Sequence, residues 1–113
     1  MGRDRGRGTC KVKRWKLEIR PAAKRDFDEA ADWYRDRDRE LRNRFTGAIR
    51  TALSAIRQRP LSYPVVFGNE VRRVVVDRFP YSIFYKMKGD TILVIAIFHQ
   101  SRNPIIWTGR IDW

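Results

Sequence analysis

Trp15, Leu17 and Ile19 alternate with Lys16 and Glu18, the two-residue period of a short half-buried strand. Pro21 then opens a helix, since proline is tolerated at the first helical position. Phe27, Ala30, Ala31 and Tyr34 recur at helical spacing and give it one apolar stripe. Asp26, Asp28 and Glu29 lie early in that helix, where the dipole favours negative charge. The run Arg35-Asp36-Arg37-Asp38-Arg39-Glu40 alternates in sign and reads as the exposed end of this helix and a tight connection. Leu41, Phe45, Ala48, Ile49, Ala52, Leu53 and Ile56 form the stripe of a second helix, stopped by Pro60, with Pro64 marking a loop. Two amphipathic helices joined so closely should pack as an antiparallel hairpin.

After the loop the period changes. Val71 to Val76 is β-branched and strand-like, and Arg78-Phe79-Pro80 interrupts it. From Tyr81 to Lys88, Tyr81, Ile83, Tyr85 and Met87 alternate against Ser82, Phe84, Lys86 and Lys88. Gly89-Asp90 suits a type II′ hairpin turn. Thr91 to Phe98 is apolar throughout, which predicts a central strand covered on both faces. His99 to Pro104 ends it, and Ile105, Ile106 and Trp107 can make one closing turn. The predicted fold is therefore α+β: an N-terminal strand, a helix hairpin, then a three-stranded antiparallel meander, with the helices on one face of the sheet.

The length of 113 residues allows one domain with one core. Residues 1–14 read as a basic tail, Gly2, Gly6 and Gly8 alternating with Arg3, Arg5 and Arg7, and residues 15–113 as the folded unit. The tail fits either a nucleic-acid-binding segment or an inert extension. The longest apolar run, Ile92–Phe98, is far shorter than the roughly 18 residues of a membrane span, and the basic N-terminus lacks a signal-peptide core. The single cysteine, Cys10, cannot form an internal disulfide, so a cytoplasmic location is expected. The net charge of +12 is spread as +5, +4 and +3 over residues 1–14, 15–69 and 70–113. Such a surface attracts polyanions, whether nucleic acid, an acidic protein or anionic lipid, and the charge alone does not choose among them.

Candidate chemistry is sparse. There is no phosphate-binding glycine loop, no nucleophile elbow and no Cys/His metal spacing, so neither a metal nor a cofactor is expected. His99, the only histidine, stands at the end of the last strand, where it fits a general acid or base or a structural residue bonded to backbone. Arg72, Arg73, Arg78 and Arg102 suit an anionic partner, since the guanidinium fork matches carboxylate and phosphate. Tyr81, Tyr85 and Trp107 read as packing residues.

This order of elements, carrying Pro21-Ala22-Ala23…Asp26-Phe27, Pro60, Val71-Arg72-Arg73-Val74-Val75-Val76, Phe79-Pro80-Tyr81-Ser82-Ile83-Phe84-Tyr85 and Ile97-Phe98-His99-Gln100-Ser101-Arg102-Asn103-Pro104-Ile105-Ile106-Trp107, resembles the RelE/ParE toxin superfamily over roughly residues 15–110. The resemblance implies a toxin made with a cognate antitoxin, expected to be acidic and partly disordered when free. RelE-like members cut messenger RNA in the ribosome; ParE-like members poison DNA gyrase. The cations and late tyrosine of the RelE-like pattern fall here on Ser82, on Ser101 beside Arg102, and on Trp107. The resemblance therefore leans to the ParE-like branch, a toxin acting by binding rather than an enzyme. A metal-free ribonuclease using His99 and Arg102 is the alternative, and a degenerate nucleic-acid-binding member is a third.

Overall fold

In a computed structural model, residues 15–100 are described. They form β1 (Lys16–Ile19), α1 (Pro21–Arg37), α2 (Arg39–Gln58), β2 (Val65–Phe67), β3 (Val71–Val75), β4 (Tyr81–Lys88) and β5 (Thr91–His99). The strands build one sheet in the order β1-β5-β4-β3-β2. The fold is α+β, a helix hairpin laid on a five-stranded mixed sheet.

Local chemistry sets the helix ends. Pro21 occupies the first turn of α1, where its missing N–H costs nothing. A single non-helical residue, Asp38, separates the helices; its backbone N–H closes α1 on Tyr34 O, and its carboxylate accepts from Glu40 N at 2.9 Å to cap α2. The acidic residues expected to meet the α1 dipole are not in its first turn. Asp26 instead turns to the sheet, and Asp28 pairs with Lys24.

The sheet carries the predicted meander and two additions. β2, expected as loop, pairs antiparallel with β3 through Val65↔Arg72 and Phe67↔Val71. Three residues between Pro64 and Gly68 are too short a run to show periodicity. β1 pairs with β5 in parallel, Lys16↔Thr91 to Ile19↔Val94, because the hairpin returns the chain to the sheet's far side and β5 runs back up beside β1. Gly89 has φ +63 at the first central position of the β4–β5 turn, as a type II′ turn requires.

Both faces of the sheet are packed. Phe45, Ile49, Ala52 and Ile56 of α2 and Ala23, Ala30, Ala31 and Tyr34 of α1 meet Val74, Ile83, Tyr85, Ile92, Val94 and Ile97. Val71, Phe84, Leu93, Ile95, Ala96 and Phe98 form a second buried cluster on the opposite face. A bulge reconciles these sets. The β4–β5 register slips between Phe84↔Ala96 and Tyr85↔Val94, so that β5 carries one extra residue, Ile95, between them. Ile95 and Ala96 therefore both face away from the helices, and Ile97 returns to them. Thus β5 is a central strand buried on both sides, as its unbroken apolar run predicts.

Candidate functional site

His99 closes β5 opposite Tyr81, the first residue of β4. Its imidazole meets the Tyr81 ring edge to face, with centroids 5.2 Å apart. Tyr81 also packs on Tyr34 and Phe45 at 6.2 and 5.1 Å, so His99 stands on the helix-covered face, at the exposed rim of the aromatic core. α1 supplies the facing wall. β1 stops at Val94, so beyond it β5 has no strand on that side. Asp26 Oδ2 takes the place of a strand carbonyl, accepting from Ile97 N at 3.1 Å. Above it lies an open cleft of about 540 Å³, lined by Asp26, Glu29, Trp33 and Tyr34 of α1 and by Tyr81 and His99 of the sheet. The Trp33 ring is half-exposed and carries the Arg37 guanidinium 3.3 Å over its centroid.

The arginines are elsewhere. Arg72 lies on the helix-side face and points into the α2–β2 loop, where its Nη1 donates to the carbonyls of Leu61 and Tyr63. Arg73, one residue on, projects from the opposite face and is exposed. Arg78 sits in the β3–β4 turn with φ +69, its side chain in solvent beside Asp77 at 3.8 Å. Arg102 and Trp107, together with the basic segment 1–14 and the expected closing turn at 105–107, lie outside the described residues. Ser82, at the position where the RelE-like pattern has arginine, is buried beneath the opposite face and 3% exposed. The sheet itself therefore stands between His99 and Arg73, and the described residues that line the cleft with the imidazole include the carboxylates of Asp26 and Glu29 and the rings of Trp33, Tyr34 and Tyr81.

Tyr85 is fully buried, and its hydroxyl donates to Pro60 O at 2.6 Å. Burial pushes its phenol up to about 12, against the opposing pull of the Arg72 guanidinium. Burial also raises the Tyr34 phenol. Neither hydroxyl is poised to exchange a proton near neutrality. Sequence reasoning missed the Asp26 bond, which only the tertiary fold creates, and the burial of Lys86, whose ammonium lies 3.7 Å from Glu70. Among the described residues no cluster of three His, Cys, Asp or Glu side chains can hold a metal ion. No helix among them is long and apolar enough to cross a membrane.

The architecture defines a small α+β protein with a helix hairpin over a mixed sheet. The family model for the ParE toxin of type II toxin–antitoxin systems, parDE, matches residues 17–104, and the chain belongs to that family. A solved structure titled "Chromosomal ParDE TA system from P. aeruginosa" superposes with a TM-score of 0.67 at 20% identity, over 75% of this chain and 95% of that one, and so shares the fold. A comparison with curated proteins found no match.

Proposed function

We propose that this toxin acts by binding: it inhibits an essential process, DNA gyrase and hence replication, and is neutralised by an acidic cognate antitoxin that is partly disordered when free. One observation carries the choice of binding over cleavage. Metal-free RNA cleavage needs a base, an acid and cations around the phosphorane. His99 faces Asp26 and Glu29 across the cleft, while Arg73 projects from the other side of the sheet and Arg72 is engaged with loop carbonyls. Among the described residues, a phosphate brought to His99 meets the carboxylates of Asp26 and Glu29, with the Arg37 guanidinium held on Trp33 at the cleft wall. The exposed arginines Arg73 and Arg78, with Arg102, remain the candidates for contact with an anionic partner surface.

Induced expression tests this directly. The expected result is growth arrest with a DNA-damage response and intact transcripts, unchanged in a folded His99→Ala variant. Transcripts cut in cells making the wild type, and spared in those making His99→Ala, would establish the ribonuclease instead.

A further inference from the structure

α1 is the acidic element of a basic chain. It carries five acidic residues against four basic ones, whereas α2 carries one against five. Most α1 carboxylates are paired: Asp28 with Lys24, Asp32 and Asp36 with Arg35. Glu29 is exposed, and alone among the carboxylates of the described residues it makes no hydrogen bond or ion pair. It lines the cleft of about 540 Å³ together with Asp26, one turn before it, and Trp33, one turn after, since residues three and four apart share a helix face. Among the described residues no lysine or arginine lines that cleft. The Arg37 guanidinium on the Trp33 ring, 3.3 Å over its centroid, shows what chemistry this wall accepts. A carboxylate beside aromatic rings suits a guanidinium better than an ammonium, because the planar fork both bonds to the oxygens and stacks.

We propose that the cleft seats a guanidinium of the chain's own N-terminal segment, from Arg3, Arg5 or Arg7, against Glu29, Asp26 and Trp33. The segment 1–14 carries +5 and meets +4 and +3 over the rest of the chain, so the α1 carboxylates are where it is attracted rather than repelled. Its length suffices. It joins the sheet at the opposite end of β5 from the cleft, where Lys16 N bonds to Asp90 O and Lys16 stands opposite Thr91. From Thr91 to His99 β5 runs about 26 Å, at about 3.3 Å per residue. Arg5 precedes Lys16 by eleven residues and Arg3 by thirteen, which extended chain spans in about 36 and 43 Å. The route crosses no packed face, because the cleft lies past the end of β1 and on the β1 side of β5. One guanidinium on an exposed carboxylate binds weakly, but a tether of this length holds it at an effective concentration in about the millimolar range. The tether also favours the chain's own segment over that of a second copy.

The test uses the full chain with a nitroxide on Cys10, its one cysteine, which stands three residues from Arg7. Paramagnetic broadening of backbone amides then maps where the segment goes. The expected result is broadening concentrated on Asp26 to Tyr34 of α1, several-fold above that at Thr51 and Ser54 of α2, which do not line the cleft. Glu29→Lys should abolish the excess, and Glu29→Gln should lower the occupancy by up to about fivefold, the range of an exposed ion pair. Circular dichroism checks that both keep the fold. Replacing Arg3, Arg5 and Arg7 together by glutamine should abolish the excess too, and replacing them by lysine should reduce it at unchanged charge. Broadening spread evenly over the surface, or an excess that survives Glu29→Lys, would overturn the proposal. An excess undiminished in the lysine variant would show attraction by charge alone and overturn the guanidinium site. Nitroxide-labelled chains mixed with unlabelled nitrogen-15 chains should leave the latter sharp. Broadening of α1 in that mixture would give the cleft to a second copy's segment and overturn the assignment within one chain.

Discussion

Tyr85 joins the sheet to the end of α2 through one buried hydrogen bond to Pro60 O. Tyr85→Phe leaves that carbonyl unsatisfied, and urea unfolding at pH 8 should show a loss of about 1–3 kcal/mol. The buried phenol also has a pH signature. Burial holds the folded phenol up at about 12, above the ordinary tyrosine value of about 10. The neutral form is thus favoured by folding, and its contribution is complete below pH 10 and lost as pH rises through 12. The gap between wild type and Tyr85→Phe should accordingly narrow over that window. Asp26 is the second residue whose role is visible only in the fold. Asp26→Ala strands the Ile97 N–H and should cost about 1–3 kcal/mol, whereas Asp26→Asn, which keeps an acceptor oxygen, should recover most of it in the same assay. Arg78 is the one described non-glycine residue with positive φ, at a turn where its side chain touches little. Arg78→Gly should raise Tm by a few degrees, since the left-handed conformation costs an L-residue about 1–2 kcal/mol, partly offset by the entropy of glycine.

Among the elements, α2 is the most completely specified by its own sequence. Its stripe from Leu41 to Ile56 delivers Phe45 and Ile56, both fully buried, and Asp38 starts it with a side-chain cap. Phe45 packs between Phe27, Tyr34, Phe79 and Tyr81, with centroids 5.0–5.8 Å away. Phe45→Ala should remove about 3–5 kcal/mol, measured by chemical unfolding, enough to threaten the fold of so small a domain. β2 is the opposite case. Val65-Val66-Phe67 has strand-forming side chains but only three residues, and the strand exists because β3 is there to pair with it. β5 lies between: its apolar run announces burial, yet nothing in that run says that Ile95 is the bulged residue, because the slip is set by packing on both faces at once.

At the scale of the molecule, +12 in 113 residues makes association with an acidic partner strongly steered. The rate of complex formation with the antitoxin should therefore fall steeply as salt is raised from about 0.05 to 0.5 M, while dissociation changes much less, as stopped-flow mixing would show. The same fold also divides the candidate chemistry. The sheet sends His99 and Arg73 to opposite faces, and α1 sets Asp26 and Glu29 beside the imidazole. His99 on β5 and the arginines on β3 have β4 between them, and the alternation of the assembled sheet turns Arg73 to the other face.

The sequence by itself determined the two helices, the meander and the residues each buries, because these follow from periods of two and 3.6 residues and from proline and glycine at the breaks. Tertiary structure alone decided the parallel seat of β1 beside β5, the addition of β2, the bulge at Ile95 and the pairing of Asp26 with Ile97 N. Each of those depends on which strand ends where beside another, a contact between residues far apart in the chain that no local pattern encodes.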